Sequence, residues 1–113
     1  MCYNDSGGKM KLLKDDKSIE LKMCNNFFNR FIGFMFKKNI NYCLCFPKCN
    51  SIHTFFMLKS IDVIMTDKDY KVLYIYKNFK PWKIILPKKN VYYTFELPIN
   101  KFKFKINEKI KVI

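Results

Sequence analysis

The chain has 113 residues, half of them apolar, and a formal net charge of +13 at pH 7. A chain of this length forms one domain and can bury about 65 % of its unfolded surface, enough for a core without disulfides or metals. Its longest apolar runs, such as residues 31–36, are far shorter than the roughly 20 residues of a membrane-spanning helix, so no such span is expected.

The N-terminal stretch MCYNDSGGK lacks the apolar region of a signal peptide, so a cytoplasmic location is expected. The five cysteines are an odd number, which favours free thiols in a reducing compartment. No cofactor is predicted. The cysteines are Cys2, Cys24, Cys43, Cys45 and Cys49.

The basic residues are almost all lysine, and Arg30 is the one arginine. Base readout and bidentate phosphate contacts favour arginine, so the charge predicts at most weak, salt-sensitive binding to nucleic acid or another anionic surface. The lysine-rich C-terminal half is the region that would carry such binding, since from Lys77 onward there are 10 lysines and 2 acids.

In chain order, residues 1–17 are predicted to be a mostly disordered lead-in, since they contain Gly7, Gly8 and mixed charges. From Ser18, apolar and charged residues alternate through Met23, which predicts a strand. Asn25 or Asn26 can then cap a short helix over residues 27–36, with an apolar stripe of phenylalanines.

The rest of the chain has the pattern of short β-strands separated by turn residues. Strands are predicted over residues 42–46, 52–58, 61–66, 71–76, 82–86 and 91–97, followed by two alternating stretches, KFKFKI and KIKVI. The prediction is a mainly β fold (α+β by content), a compact β-barrel-like single domain over residues 18–113 with one short helix near its N-terminus.

Three blocks of sequence resemble a known family. The first block is Asn29-Arg30-Phe31-Ile32-Gly33-Phe34-Met35, the second is CNSIHTFFMLKSIDVIMTDKDYKVL, and the third runs from Pro81-Trp82 through Phe95-Glu96-Leu97-Pro98 to Asn107-Glu108. In order and spacing they resemble the domain of unknown function 192, also called uncharacterised protein family 0127. The resemblance implies a compact β-barrel-like fold and brings no established reaction or ligand.

Three positions at which that family favours glycine carry Tyr70, Asn100 and Asn107 here. Asparagine tolerates a left-handed backbone, so the two asparagine turns are expected to be retained. A tyrosine is costly in that conformation, so a relaxed hairpin is expected around Tyr70. Within the matched blocks, structural roles are predicted for Gly33, Met35, Met57, Trp82, Glu96 and Pro98.

Cys49 and His53, the single histidine, open the second block. Their spacing suits metal ligands, with Cys43 or Cys45 as further sulfurs, and a thiol beside an imidazole is also the start of a nucleophilic pair. The alternative is structural: a small half-buried thiol in a turn and a histidine that binds the main chain at a strand edge.

Asp62 lies in an apolar run, and an ionised carboxylate buried there needs a partner, with Arg30 or His53 as the expected one. The favoured hypothesis is a binding or accessory module without catalytic residues, monomeric or homodimeric. Its small polar or anionic ligand, or protein partner, would bind near Arg30, His53, Asp62 and Cys49. The alternatives are a nucleic-acid or anionic-surface binder and a thiol- or zinc-dependent enzyme that uses Cys49 and His53.

Overall fold

The computed structural model describes residues 10–25 and 33–113. These ranges form strands joined by turns, and no helix that could cross a membrane is found among them. The strands are β1 (Met10–Lys14), β2 (Lys17–Met23), β3 (Cys43–Pro47), β4 (Ile52–His53), β5 (Ile61–Thr66), β6 (Val72–Phe79), β7 (Ile84–Ile85), β8 (Tyr93–Leu97) and β9 (Lys111–Val112).

Seven strands form one curled, half-barrel sheet in the order β6-β5-β8-β3-β2-β1-β9, and β4 pairs with β7 in a small second sheet. Its two edges approach each other where the segment before β9 meets the start of β6. There Val72 N donates to Glu108 O at 2.8 Å and Ile110 N donates to Tyr70 O at 2.9 Å. The prediction of a mainly β, barrel-like domain is confirmed at this level.

The central strands are buried on both faces, so the sheet separates two apolar cores. On β8, Phe95 and Leu97 belong to the first core, while Glu96 lies between them in sequence and is also buried. The first core contains Leu12, Ile19, Leu21, Cys43, Cys45, Ile64, Val72, Phe95, Leu97, Phe102 and Ile110. The second contains Cys24, Phe34, Leu44, Phe46, Met57, Ile61, Val63, Met65 and Ile85.

The predicted lead-in over residues 1–17 is wrong for its second half, because Met10–Lys14 is β1 and β2 begins at Lys17. Leu12 is fully buried in the first core, and Lys11 N donates to Ile113 O at 2.8 Å. Buried apolar surface and main-chain bonds to both neighbouring strands therefore order this segment despite its charges. Residues 1–9 lie outside the described ranges.

The helix predicted over residues 27–36 lies mostly outside the described residues. Its described end, residues 33–36, is a turn and not a helix. Gly33 and Phe36 have φ values of 50° and 61°, in the left-handed region, and a right-handed helix cannot contain them. The predicted helical end is therefore replaced by a turn that leads into the chain before β3.

Several predicted strands are shorter or missing, and the one predicted over 82–86 is reduced to Ile84–Ile85. The strand predicted over 52–58 stops at His53, because Thr54 and Phe56 enter a turn in which Met57 N donates to Thr54 O at 3.2 Å. The KFKFKI stretch forms no strand. Its Lys105 N donates to the Glu108 carboxylate at 2.9 Å, in a turn that includes Asn107.

The turns at the three expected glycine positions are left-handed, with φ of 65° at Tyr70, 59° at Asn100 and 74° at Asn107. The prediction for the two asparagines is confirmed. The relaxed hairpin expected at Tyr70 is wrong. The tyrosine keeps the left-handed backbone, and its ring stacks on Tyr93 with centroids 4.7 Å apart, which offsets a strain of about 1 kcal/mol.

Candidate functional site

Asp62 is buried at the start of β5 and binds three donors. Lys77 Nζ lies 2.7 Å from Oδ2, Asn78 N lies 2.8 Å from Oδ1 and Asn100 N lies 3.1 Å from Oδ2. The side chain of Asp62 is 5 % exposed and that of Lys77 is 46 % exposed. The carboxylate therefore has a charged partner, as predicted; among the described residues that partner is Lys77 and not His53, and Arg30 lies outside them.

A β-bulge explains why Asp62 can bind both Lys77 and Asn78. The pairing of β5 with β6 shifts here, since Ile61 faces Phe79 while Val63 faces Tyr76. Asn78 takes a left-handed φ of 52° in the extra residue. Bulges bend strands and re-aim side chains beside functional sites, and this one is held by the Asp62 carboxylate.

An open cavity of about 670 Å³ lies at this end of the sheet. We call it the amide cavity because three asparagines line it, together with one serine, one lysine and three apolar residues. The lining residues are Asn39, Ile40, Asn41, Lys59, Ser60, Asn78, Pro98 and Ile99. Asp62 lies behind its wall, since it binds the main chain of Asn78 and of Asn100, which follows Ile99.

His53 lies elsewhere, at the end of β4, opposite Ile84 of β7. Its Nδ1 accepts a hydrogen bond from Phe55 N at 3.2 Å. Its ring starts a row of contacting rings that continues through Phe55, Trp82, Phe56 and Phe36, with centroid distances of 5.0, 5.9, 4.7 and 5.6 Å. We call these five rings the aromatic row.

Thr54 joins the two loops that carry the aromatic row. It is fully buried, and its Oγ1 donates to Lys80 O at 2.7 Å and accepts from Lys83 N at 2.9 Å. Its carbonyl accepts Trp82 N at 2.9 Å. The sequence analysis gave Thr54 no role, although a threonine between the histidine and the two phenylalanines was visible in the motif.

Cys49 occupies a turn against β8. Its Sγ donates to Ser51 O at 3.1 Å, and its carbonyl accepts a hydrogen bond from Thr94 Oγ1 at 2.8 Å. Cys43, Cys45 and Cys49 are free thiols as predicted, whereas Cys24 is disulfide-bonded, which corrects that prediction. Within the described residues, no group of three or more His, Cys, Asp or Glu could hold a metal ion.

Glu96 is a buried carboxyl group that lies against Gly33. A Cβ added to Gly33 would lie 3.4 Å from Glu96 Oε1 and 3.5 Å from Phe46 Cζ, so the glycine allows the turn to approach the sheet. Oε1 has no hydrogen-bond partner among the described residues, and desolvation by burial raises the pKa of Glu96 to about 8. At neutral pH this group is therefore mostly protonated.

The described site candidates thus have three different surroundings: Asp62 behind the amide cavity, His53 in the aromatic row and Cys49 against β8. Arg30 lies outside the described residues. Of the residues given structural roles, Glu96 and Met57 are buried, Gly33 and Met35 are half-buried, Pro98 lines the cavity and Trp82 is exposed.

Comparisons with a family model and with individual proteins indicate the same family. The sequence model of domain of unknown function 192, described as an uncharacterized ACR, matches residues 10–112. The UPF0127 proteins of Thermococcus sibiricus and Pyrococcus horikoshii are each 41 % identical over 85 residues, or 70 % of this chain. That match spans 54 % of the Thermococcus protein and 72 % of the Pyrococcus protein, so the chain corresponds to about half of the former.

Two crystal structures share the fold at low sequence identity. A protein of unknown function from Novosphingobium aromaticivorans has a TM-score of 0.74 and 14 % identity, over 96 % of this chain and 90 % of that one. A Sinorhizobium meliloti protein, described as a "putative transcription regulator", has a TM-score of 0.77 and 13 % identity, over 92 % of each chain. At such identities the likeness concerns the fold alone.

Proposed function

We propose that this chain, which belongs to the domain of unknown function 192 family, also called UPF0127, is a non-catalytic binding module for a small polar ligand. The ligand is neutral or anionic and binds in the amide cavity. The observation that carries this proposal is the lining of the cavity beside Asp62. The family itself is uncharacterised.

The chemistry of the lining supports this class of ligand. The carboxamides of Asn39, Asn41 and Asn78 each offer donors and an acceptor, and Ser60 adds a hydroxyl group. Lys59 supplies a positive charge, and no acid is among the described lining residues. A cavity of 300–1,000 Å³ with a few polar groups is typical of small-molecule sites, and this lining disfavours a cationic ligand.

The rigidity of the cavity wall gives further support. Asp62 fixes the main chain at Asn78 and Asn100, on two separate elements, through bonds of 2.8 and 3.1 Å. Because Lys77 neutralises the carboxylate, the charge of Asp62 is balanced from within the protein. A wall held in this way loses little conformational entropy when a ligand binds, which favours affinity.

The surroundings of Asp62, Glu96 and Cys49 favour binding over catalysis. Asp62 is occupied by three donors, Glu96 lies within the core, and the Cys49 thiol donates to a main-chain carbonyl. A general base must reach the proton of a bound substrate. Because Asp62, Glu96 and Cys49 are engaged or buried in this way, we assign ligand recognition to the polar side chains that line the cavity.

The test is an NMR titration of the ¹⁵N-labelled chain with citrate, inorganic phosphate and glucose as probes. We expect at least one probe to shift the amide signals of residues 39–41, 59, 60 and 78, and the double variant Lys59→Ala/Asn41→Ala to abolish those shifts. Lys68→Ala/Asn90→Ala removes the same two residue types from another cavity and should leave them unchanged. Shifts confined to other regions would contradict the proposal.

A further inference from the structure

The aromatic row exposes several large apolar side chains to solvent at one place on the surface. Phe36 is 65 % exposed, Trp82 is 59 % exposed and Phe56 is 44 % exposed. Ile84 is also exposed, on β7 opposite His53, so it extends the same surface. Contiguous apolar surface of this kind marks an interaction site.

The backbone holds these three rings at an energetic cost. Phe36, Phe56 and Trp82 have φ values of 61°, 64° and 65°, a region that costs a bulky residue about 1 kcal/mol. Main-chain bonds maintain the strain: Phe36 N donates to Phe56 O at 3.0 Å, and Trp82 N donates to Thr54 O at 2.9 Å. Residues with a strained backbone are found most often at functional sites, where the surrounding structure holds them in place.

The two chain segments that carry the row contain basic residues and no acidic ones. Residues 33–61 and 70–95, which carry all five rings, contain no aspartate or glutamate. Exposed lysines are neighbours of these residues in sequence. Lys37 follows Phe36 and Lys83 follows Trp82, while Lys38 comes after Lys37 and Lys80 lies two residues before Trp82. Adjacent Cα atoms are 3.8 Å apart, so the backbone of these lysines lies within about one Debye length, ~8 Å, of the backbone of Phe36 and Trp82.

We propose that the aromatic row with its lysines is a peripheral membrane-binding surface for bilayers that contain anionic lipids. The rings enter the headgroup region, where Trp and Phe side chains are favourable, and the lysines contact the lipid phosphates and carboxylates. Each lysine near such a surface contributes to attraction that falls with salt. This inference is independent of the amide cavity and of its ligand.

The spacing of the rings favours a lipid surface over single-stranded nucleic acid, which also uses aromatic residues and lysines. Sites for single strands stack successive bases on the free faces of aromatic rings. Neighbouring rings in the row have centroids 4.7–5.9 Å apart and are mutually tilted. Each ring therefore covers part of its neighbour's face, and the row presents ring edges together with faces, which suits an apolar surface better than a stack of bases.

Trp82 is the single tryptophan of the chain, so its fluorescence reports directly on the proposed surface. The experiment adds the full chain to vesicles of equal parts phosphatidylcholine and phosphatidylserine, and to phosphatidylcholine alone. We expect a blue shift, quenching by brominated acyl chains and co-sedimentation with the anionic vesicles, all reduced at high salt. The variant Phe36→Asn/Phe56→Asn introduces residues that tolerate the left-handed turns and should weaken partitioning by at least about a hundredfold.

Two controls isolate the surface. Ile106→Ser/Ile113→Ser removes exposed apolar residues elsewhere, and Lys101→Gln/Lys103→Gln removes exposed lysines elsewhere. Both should bind like the wild type, whereas Lys37→Gln/Lys83→Gln should bind more weakly. The proposal is overturned if neither vesicle changes Trp82 fluorescence at low salt, if the controls lose binding equally, or if an oligo-dT strand quenches Trp82 while vesicles do not.

Discussion

Glu96 should make the stability of the protein fall as pH rises. Its pKa is raised to about 8 by burial, from an ordinary value of 4.5. Between these values the unfolded chain releases the proton and the folded chain keeps it. The free energy of unfolding therefore falls by about 1.4 kcal/mol per pH unit from this group, and the loss is complete above pH 8.

Replacing this carboxyl with an amide tests the effect. Glu96→Gln cannot ionise, so its urea midpoint should change little between pH 5 and pH 8, whereas the wild-type midpoint should drop. At pH 8 the variant should be the more stable protein. Parallel profiles for the two proteins would show that the Glu96 carboxyl ionises in the folded state as easily as in the unfolded one.

At the residue scale, the sequence predicted the conformation of some positions and not of others. The asparagines in place of family glycines, Asn100 and Asn107, were correctly expected to be left-handed. Tyr70 was not, because its stack on Tyr93 is a contact between distant parts of the chain that no local rule contains. The partner of Asp62 was missed for the same reason, since a β-bulge places Lys77 opposite it.

At the element scale, Asp62 should stabilise the junction of β5, β6 and the turn after β8. Asp62→Asn removes the negative charge that pairs with Lys77. It also replaces one carboxylate oxygen with an NH2 group, which would face a hydrogen-bond donor, Lys77 Nζ or the main-chain N–H of Asn78, instead of accepting from it. We expect a loss of about 1–3 kcal/mol in the free energy of unfolding, measured by urea denaturation. Asp69→Asn, at an exposed turn position, is the matched control and should change it by less than about 0.5 kcal/mol.

The strands that the sequence predicted best are those with continuous apolar runs. β5 was predicted with its observed bounds, since all six of its residues are apolar or can be buried and a polar turn follows. β1 was missed because its charges resemble those of a disordered tail, and its pairing with β2 and β9 is a tertiary effect. The strand after Ile52 was predicted too long, because the Thr54 hydrogen bonds that end it involve residues 80–83.

At the scale of the whole molecule, the amide cavity and the aromatic row are two candidate surfaces with different lining residues. The amide cavity lies where β5 begins, where β6 ends and at the turn after β8, and the aromatic row lies on the loops around β4 and β7. The sequence analysis placed His53 and Asp62 in one site because a buried carboxylate needs a partner. The fold separates them, since β5 enters the main sheet while β4 pairs in the small one.

The measurement that tests the binding-module account most directly is a native mass spectrum of the untagged chain, purified gently and without chelators. The account predicts a mass excess of one small organic molecule on the wild type and on Lys68→Ala/Asn90→Ala. The same excess should be lost from Lys59→Ala/Asn41→Ala, which alters the lining of the amide cavity. A wild-type chain without any adduct, or an adduct that persists unchanged in the cavity variant, would contradict it.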